Sequence, residues 1–413
     1  MLRFALFVGL FLALPHVYVA ARVVRPLTLG RVSKLGLYGL LAACFALGPL
    51  LLALGRDATG PFVLALRYVT WTYLAFFSVL FAVTLARDLG LLVTRAAVRL
   101  GRWAGRAGGG AERAADTRAA DGWTTETRPD DAPRDPGRRA FLTNGGGALG
   151  AGFSALSVGV GAVQARLGPE VYEVEVRIPG LPEAFDGFHI VQISDVHVGM
   201  TIDAEFITPI VDRVLALGPD MIAATGDFVD GSVANLRRDV APLGRLRAPH
   251  GVYFVTGNHE YYSGVDAWCA EFTRLGMRVL ENEHVVLTHG DARLVVAGVT
   301  DYSSRGRRGE KGSDPQGAAR GAPADAKKIL LAHQPRSAFE AAAAGFDLQL
   351  SGHTHGGQFF PWNLFVGLVH PVSKGLGVVD GMQVYVNRGT CYWGPPVRTM
   401  VPPEITSMRL RRA

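Results

Sequence analysis

His189-Ile-Val-Gln-Ile-Ser-Asp-Val-His197 is a compact apolar run that closes on an acid and an imidazole. Its length and β-branched content are those of a buried strand, and the polar pair falls just past the carboxyl end. The arrangement recurs along the chain. Met221 to Ala224 precedes Asp227, Val252 to Val255 precedes Asn258 and His259, Ile329 to Leu331 precedes His333, and Leu348 to Leu350 precedes His353 and His355. Leu294 to Val299 is a further compact run, and Val171 to Ile178 alternates as a half-buried strand does. Helical patterns over Ala204 to Leu217 and Val265 to Leu275 lie between them. Short strands interleaved with helices define a layered α/β or α+β domain over 171–411, where about 240 residues suffice for one core.

In α/β sheets the loops at the carboxyl ends of the strands line the ligand crevice, so residues distant in sequence but alike in phase converge there. A mixture of Asp, Asn and neutral His suits Mn²⁺, Fe, Zn²⁺ or similar ions, and differs from the all-oxygen cages of Ca²⁺. One bridging carboxylate holds two such ions about 3.5–4 Å apart. Cysteine chemistry contributes nothing to this reading. The chain has three cysteines, and Cys44 lies in an apolar run, so there is neither a disulfide framework nor a Cys-based zinc site. A Cys269–Cys391 bridge stays open.

Asp195-Val-His197, Gly226-Asp227-Phe-Val-Asp230, Gly257-Asn258-His259-Glu260, His333 and Gly352-His353-Thr354-His355 together resemble the motif series of the calcineurin-like metallophosphoesterases. The resemblance covers roughly residues 185–407. His355-Gly-Gly-Gln358 and Pro402-Pro-Glu404 resemble its bacterial membrane-anchored branch. It implies a four-layer α/β/β/α sandwich and two divalent metal ions. Carried over position by position, it implies Asp195, His197 and His355 on one ion, Asn258, His333 and His353 on the other, and Asp227 between them. Water activated by the ions would then cleave a phosphate ester or anhydride. His259 is the non-ligand member, expected to stabilise or protonate the leaving oxygen, with Asp230 orienting its ring in preference to serving as a turn residue. One departure matters: Gly231 stands where the family's protein phosphatases carry a phosphate-gripping Arg, which points away from a protein phosphatase. Arg388 and Arg398 are expected to be solvated surface groups, with a substrate cation as the other reading. Tyr392 and Trp393 are expected either to line a substrate lip or to pack. Gly226, Gly257 and Gly352 allow close backbone turns beside the motifs.

The first part of the chain is different. Of all residues 49% are hydrophobic, and three apolar stretches near 4–21, 35–55 and 68–85 are each long enough to cross about 30 Å of hydrocarbon. Residues 1–100 are therefore expected to be an all-α transmembrane region. Arg22, Arg25, Arg31 and Lys34 crowd one loop, and Arg87, Arg95, Arg99, Arg102 and Arg106 follow the third stretch, which puts both on the cytoplasmic side. Residues 101–139 have the composition of a flexible linker. Arg138-Arg139 opens a twin-arginine-like fourth apolar segment, 140–165, expected to deliver the catalytic domain to the outer, periplasmic face of the inner membrane. The formal net charge of +6 is read as topology signal, since 171–413 shows no basic stripe interleaved with aromatics and hence no nucleic-acid partner. The Arg-rich stretch 303–326, with Arg305, Arg307 and Arg308, is expected to be a mobile surface loop.

The expected function is a membrane-anchored phosphodiesterase or pyrophosphatase acting on a lipid-linked or envelope substrate, with the bilayer as partner and no obligate protein partner. A UDP-2,3-diacylglucosamine-type pyrophosphatase and a nuclease-like phosphodiesterase are the alternatives. A non-catalytic receptor is a further class, which loss of ligands would mark, and none is lost.

Overall fold

The computed structural model describes residues 2–55, 58–108, 136–304 and 312–413. The centre of the expected linker with Trp123, and Arg305, Arg307 and Arg308 of the insertion, lie outside the described residues. The chain divides into two compact units, Met1–Pro49 with Phe76–Leu156, and Leu50–Ala75 with Ser157–Ala413.

Four long helices open the chain: α1 (Leu2–Val19), α2 (Arg31–Leu54), α3 (Pro61–Gly108) and α4 (Pro136–Arg166). Three stretches among the described residues are long and apolar enough to cross a membrane: Arg31–Leu51, Pro61–Ala104 and Asn144–Arg166. Leu12–Val24 is a shorter apolar helix. α3 starts on a proline, whose fixed φ and missing N–H suit the first turn. It continues well past residue 85 because Ala, Leu and Arg are strong helix formers and no proline interrupts them. Within the first unit, Asp88 accepts from Tyr18 at 2.7 Å and pairs with Arg22 and, at 3.0 Å, with Arg87.

The second unit carries the strands: β1 (Glu170–Ile178), β2 (His189–Ile193), β3 (Met221–Ala224), β4 (Val252–Phe254), β5 (Arg278–Val279), β6 (Glu283–His289), β7 (Ala292–Gly298), β8 (Lys327–Leu331), β9 (Leu348–Ser351), β10 (Gly375–Val379), β11 (Met382–Val386) and β12 (Glu404–Arg412). Its shorter helices are α5 (Ala204–Ala216), α6 (Val233–Leu236), α7 (Asn258–Ser263), α8 (Val265–Arg274), α9 (Pro315–Ala318), α10 (Ala338–Ala343) and α11 (Trp362–Phe365). The strands form two six-stranded sheets, ordered β1-β12-β2-β3-β4-β5 and β10-β11-β9-β8-β7-β6. In the first, β2 to β5 run parallel; in the second, β7, β8, β9 and β11 do.

Every residue of β2 is buried because both of its faces are covered. Ile190 joins Leu294, Ile329, Leu348 and Met408 in a core between the sheets. Val191 and Ile193 face the other way, onto a core shared with Ile207, Val211 and Val214 of α5 and with Trp268 and Phe272 of α8. A third core packs Ala338 and Ala341 of α10 on Leu330 and Val384. The layers are thus α/β/β/α, the architecture the resemblance implies. Asp203 caps α5 by accepting from Phe206 N at 3.0 Å.

One open reading is closed and one expectation corrected here. Cys269 and Cys391 are not bridged to each other. The 303–326 stretch is not simply a loose loop, since Ser313, Pro315 and Ala318 are buried and Asp314 caps α9 through Gly317 N at 2.8 Å.

Candidate metal centre

The two sheets deliver their parallel strands to one edge. β2 leads to Asp195 and His197, β3 to Asp227, β4 to Asn258 and His259, β8 to His333, and β9 to His353 and His355. Beneath them, Gln192 on β2 reaches across the sheets and donates to Ser351 O at 2.9 Å, tying β2 to β9. Asp195, His197, Asp227, His353 and His355 all adopt left-handed backbone, with φ of 54°, 52°, 56°, 71° and 50°. For residues with a Cβ this costs roughly 1–2 kcal/mol each. The surroundings impose it: Asp195 N donates to Gly226 O at 2.9 Å and His197 N to Asp227 O at 3.1 Å. A side chain at Gly257 would meet the Asp227 carboxyl, and one at Gly352 would meet Ser194 and Asp195, so both positions require glycine.

Three groups of candidate ligands emerge, each with its ligand atoms within 4.8 Å of one another: Asp195, His197 and His355; Asp227, His333 and His353; and His197, Asp230 and His259, which shares His197 with the first. In the first, the Nε2 atoms of His197 and His355 are 3.1 Å apart and Asp195 Oδ1 is 3.3 Å from His355 Nε2. In the second, His333 Nε2 lies 3.0 Å from Asp227 Oδ2 and 3.2 Å from His353 Nδ1. Asn258 Oδ1 is buried with no hydrogen-bond partner. A buried amide oxygen left unbonded and ring nitrogens facing one another are what a cation site requires of its donors, so these residues fit divalent metal.

The atoms behind the rings set their orientation. His333 Nδ1 lies 2.7 Å from Thr225 O and so donates to it, leaving Nε2 free to face Asp227. Asp230 serves two rings: His259 Nδ1 bonds its Oδ1, and His197 Nδ1 is 3.4 Å from its Oδ2. His259 N donates to Asp227 Oδ1 at 2.8 Å, while its Nε2 stands 3.9 Å from Asp227 Oδ2. Trp393, 44% exposed, has its ring centre 5.5 Å from that of His259, and Tyr262 flanks the same ring at 5.4 Å.

Burial pushes the Asp195 and Asp227 carboxyls up, but the neighbouring histidines, led by His355 and His333 respectively, outweigh it and hold both below the usual range. For Asp230, burial is likewise outweighed by His197 and His259. Burial lowers His333, yet Asp227 and then Asp195 raise it well above its ordinary value. Burial and the His333 charge take His353 down to about 3. Burial, helped by Arg398, takes His355 down to about 4 despite Asp195.

Several participants were not assigned roles from sequence. Glu260 is fully buried and accepts from the backbone N–H groups of Gly257, Asp227 and Phe228 at 2.7, 2.9 and 2.7 Å. Burial and the Asp227 charge push it up to about 8 against those donors. Its place directly after Asn258-His259 was the available signal. Arg398, expected at the surface, is instead wholly buried. It donates to His355 O at 3.1 Å and Arg388 O at 2.8 Å, with Nη2 3.0 Å from His355 Nδ1. Burial takes it down to about 10. Arg388 is also not a solvated group: it lies 4.1 Å over the Tyr172 ring and 3.5 Å from Glu404. Of the aromatic pair, Tyr392 packs inside, donating to Thr201 O at 3.0 Å, and Trp393 borders the centre.

Strand-end carboxylates and imidazoles gathered in groups that could hold a metal ion mark the edge of this α/β/β/α domain. The family model for calcineurin-like phosphoesterases matches residues 188–357, and the chain belongs to that metallophosphoesterase family. It is 34% identical over 280 residues to an uncharacterized metallophosphoesterase of Helicobacter pylori, covering 67% of this chain and 73% of that one. It is also similar to proteins named transmembrane protein with metallophosphoesterase domain. The identity is 36% over 261 residues for Danio rerio and 40% over 271 for Bos taurus, spanning 61% and 63% of this chain. The matches cover 60% and 61% of those two relatives' own lengths.

Proposed function

We propose that the chain is a membrane-anchored hydrolase of phosphate esters or anhydrides that works with two divalent cations. In this reading Asp195, His197 and His355 hold one, Asn258, His333 and His353 the other, and Asp227 is shared. The observation that carries it is the pairing of the Asp195, His197, His355 group with the Asp227, His333, His353 group, linked where His353 N donates to both Asp195 carboxylate oxygens at 3.1 and 3.0 Å, backed by family membership. When bound, such ions supply Lewis acidity and acidify water near neutral pH.

The chain's own groups do the rest. Asp230, held ionised, fixes the His259 ring through Nδ1, so that Nε2 is the atom turned to serve a leaving oxygen. Trp393 and Tyr262 confine that ring. Glu260 fixes the backbone on either side of Asp227. The apolar helices supply the anchor, and the arginine-rich segments flanking them support an inner-membrane protein with the domain on its outer face. A membrane anchor also supports a lipid-linked or envelope substrate over a cytoplasmic solute.

The test is a phosphoester panel, including bis-(p-nitrophenyl) phosphate, with the purified full chain and added Mn²⁺. His259→Ala should retain bound metal and lose about 10²–10⁴-fold in turnover. Parental activity that survives both metal chelation and His259→Ala would overturn the reading.

A further inference from the structure

Between Gln358 and His370 the chain leaves the metal centre and returns to it. At the start, Gln358 Nε2 donates to Trp393 O and Pro395 O, each at 2.9 Å. At the end, the His370 ring lies 5.3 Å from that of His353. The excursion exposes apolar side chains in succession: Leu364 is 64% and Leu368 81% exposed, with Trp362, Phe365 and Val369 also exposed. It is a built element: α11 and the turn after it give it shape, and Gly357 admits the Asn363 backbone where a Cβ would collide. Arg336 holds its base, donating to Val369 O from Nε at 3.3 Å and Nη2 at 3.1 Å. A cavity of about 420 Å³ opens there, lined by Tyr302, Arg336, Phe339, Leu368, Val369 and His370.

What covers this face follows from its neighbours. The segment after Pro395 seats on α4, with Arg398 N donating to Gly161 O at 2.9 Å and Thr399 Oγ1 to Ser157 O at 2.7 Å. Trp393 is 6.2 Å, ring centre to ring centre, from Trp71 of α3. Both contacts fall within stretches long and apolar enough to span a membrane. The loop therefore springs from the edge of the domain that meets those helices. An apolar tip bearing a Trp, with a cation at its base, suits the boundary between headgroups and acyl chains.

We propose that residues 359–371 dip into the bilayer surface and that the adjoining cavity takes the apolar part of a phospholipid-type phosphoester whose phosphate reaches the metal centre. The substrate half of this rests on the phosphoesterase reading above; the placement of the loop does not. The full chain, with Cys44 and Cys269 replaced by Ser, is labelled with bimane at Leu368→Cys or, at the opposite end of the sheets, at Asp291→Cys. Each is placed in phosphatidylcholine–phosphatidylglycerol nanodiscs containing doxyl lipid. The Leu368 label should be quenched and the Asp291 label spared. In parallel, the triple variant Leu364→Ser, Phe365→Ser, Leu368→Ser should lose at least about tenfold in hydrolysis of a nanodisc-embedded phospholipid, while bis-(p-nitrophenyl) phosphate is cleaved at the parental rate. Equal quenching at the two sites overturns the placement. Equal loss on both substrates, or on neither, overturns the lipid subsite. A parent that cleaves no phosphoester defeats the phosphoesterase reading and with it the lipid subsite, while the labels still decide the placement.

Discussion

His333 Nε2 lies 3.0 Å from Asp227 Oδ2, although the two side chains descend from different sheets, one after β8 and the other after β3. The contact couples the two halves of the sandwich at one edge, where a buried carboxylate and a buried imidazole could not stay without compensation. In the metal-free protein they compensate each other. A bound cation would replace the proton they share.

That replacement has a sign. His333 stands well above its ordinary value and Glu260 at about 8, so both carry protons at neutral pH in the metal-free state. A coordinating ring must be neutral, and added positive charge favours the Glu260 carboxylate, so cation binding releases protons. Apparent affinity for Mn²⁺ should therefore rise between about pH 6 and about pH 8, with about one proton or more released per chain. Calorimetry in buffers of different ionisation enthalpy reads this directly; proton uptake on binding would contradict it.

Glu260 is expected to be a structural pin. Glu260→Ala leaves the N–H groups of Gly257, Asp227 and Phe228 buried without an acceptor, at about 1–3 kcal/mol for each that water does not reach. Chemical denaturation should show a loss of at least about 2 kcal/mol, accompanied by weaker metal retention. An unchanged midpoint would mean that the three donors find other partners.

Gly161 on α4 is expected to matter to activity despite its distance in sequence from every motif. A side chain there would strike Thr399 and Val397, the neighbours of Arg398, whose guanidinium abuts His355. Gly161→Leu should lower turnover about tenfold through this displacement, an overpacking effect of about 1–3 kcal/mol, with membrane insertion preserved. Turnover equal to the parent in membrane-inserted protein would show that the seating on α4 is dispensable.

Much of the centre is legible in sequence because it is built from local signals. A short apolar strand followed within a few residues by Asp or His places that side chain at the strand's carboxyl end, and five such strands suffice to gather Asp195, His197, Asp227, Asn258, His333, His353 and His355. What stays hidden is non-local. β12 comes last in the chain yet inserts between β1 and β2, a pairing no window of sequence contains. β10 and β11 do carry a local sign, the Asp380-Gly381 turn, where both residues have positive φ. Arg398 looks like any arginine near a surface turn until the α4 backbone and the Cys391 and His355 segments close around it. The left-handed backbone at five candidate ligands also has no signature, since it is imposed by the ladder between the loops after β2 and β3 and by the close packing at Gly352.

The most direct test of the shared-carboxylate centre is metal content per chain, read by inductively coupled plasma mass spectrometry on the full-length protein and its Asp227→Asn variant after Mn²⁺ loading and desalting. The parent should hold about two ions and the variant fewer than one, with phosphoester hydrolysis lost in step with the metal. A variant that keeps the parental metal content and turnover would contradict the shared carboxylate.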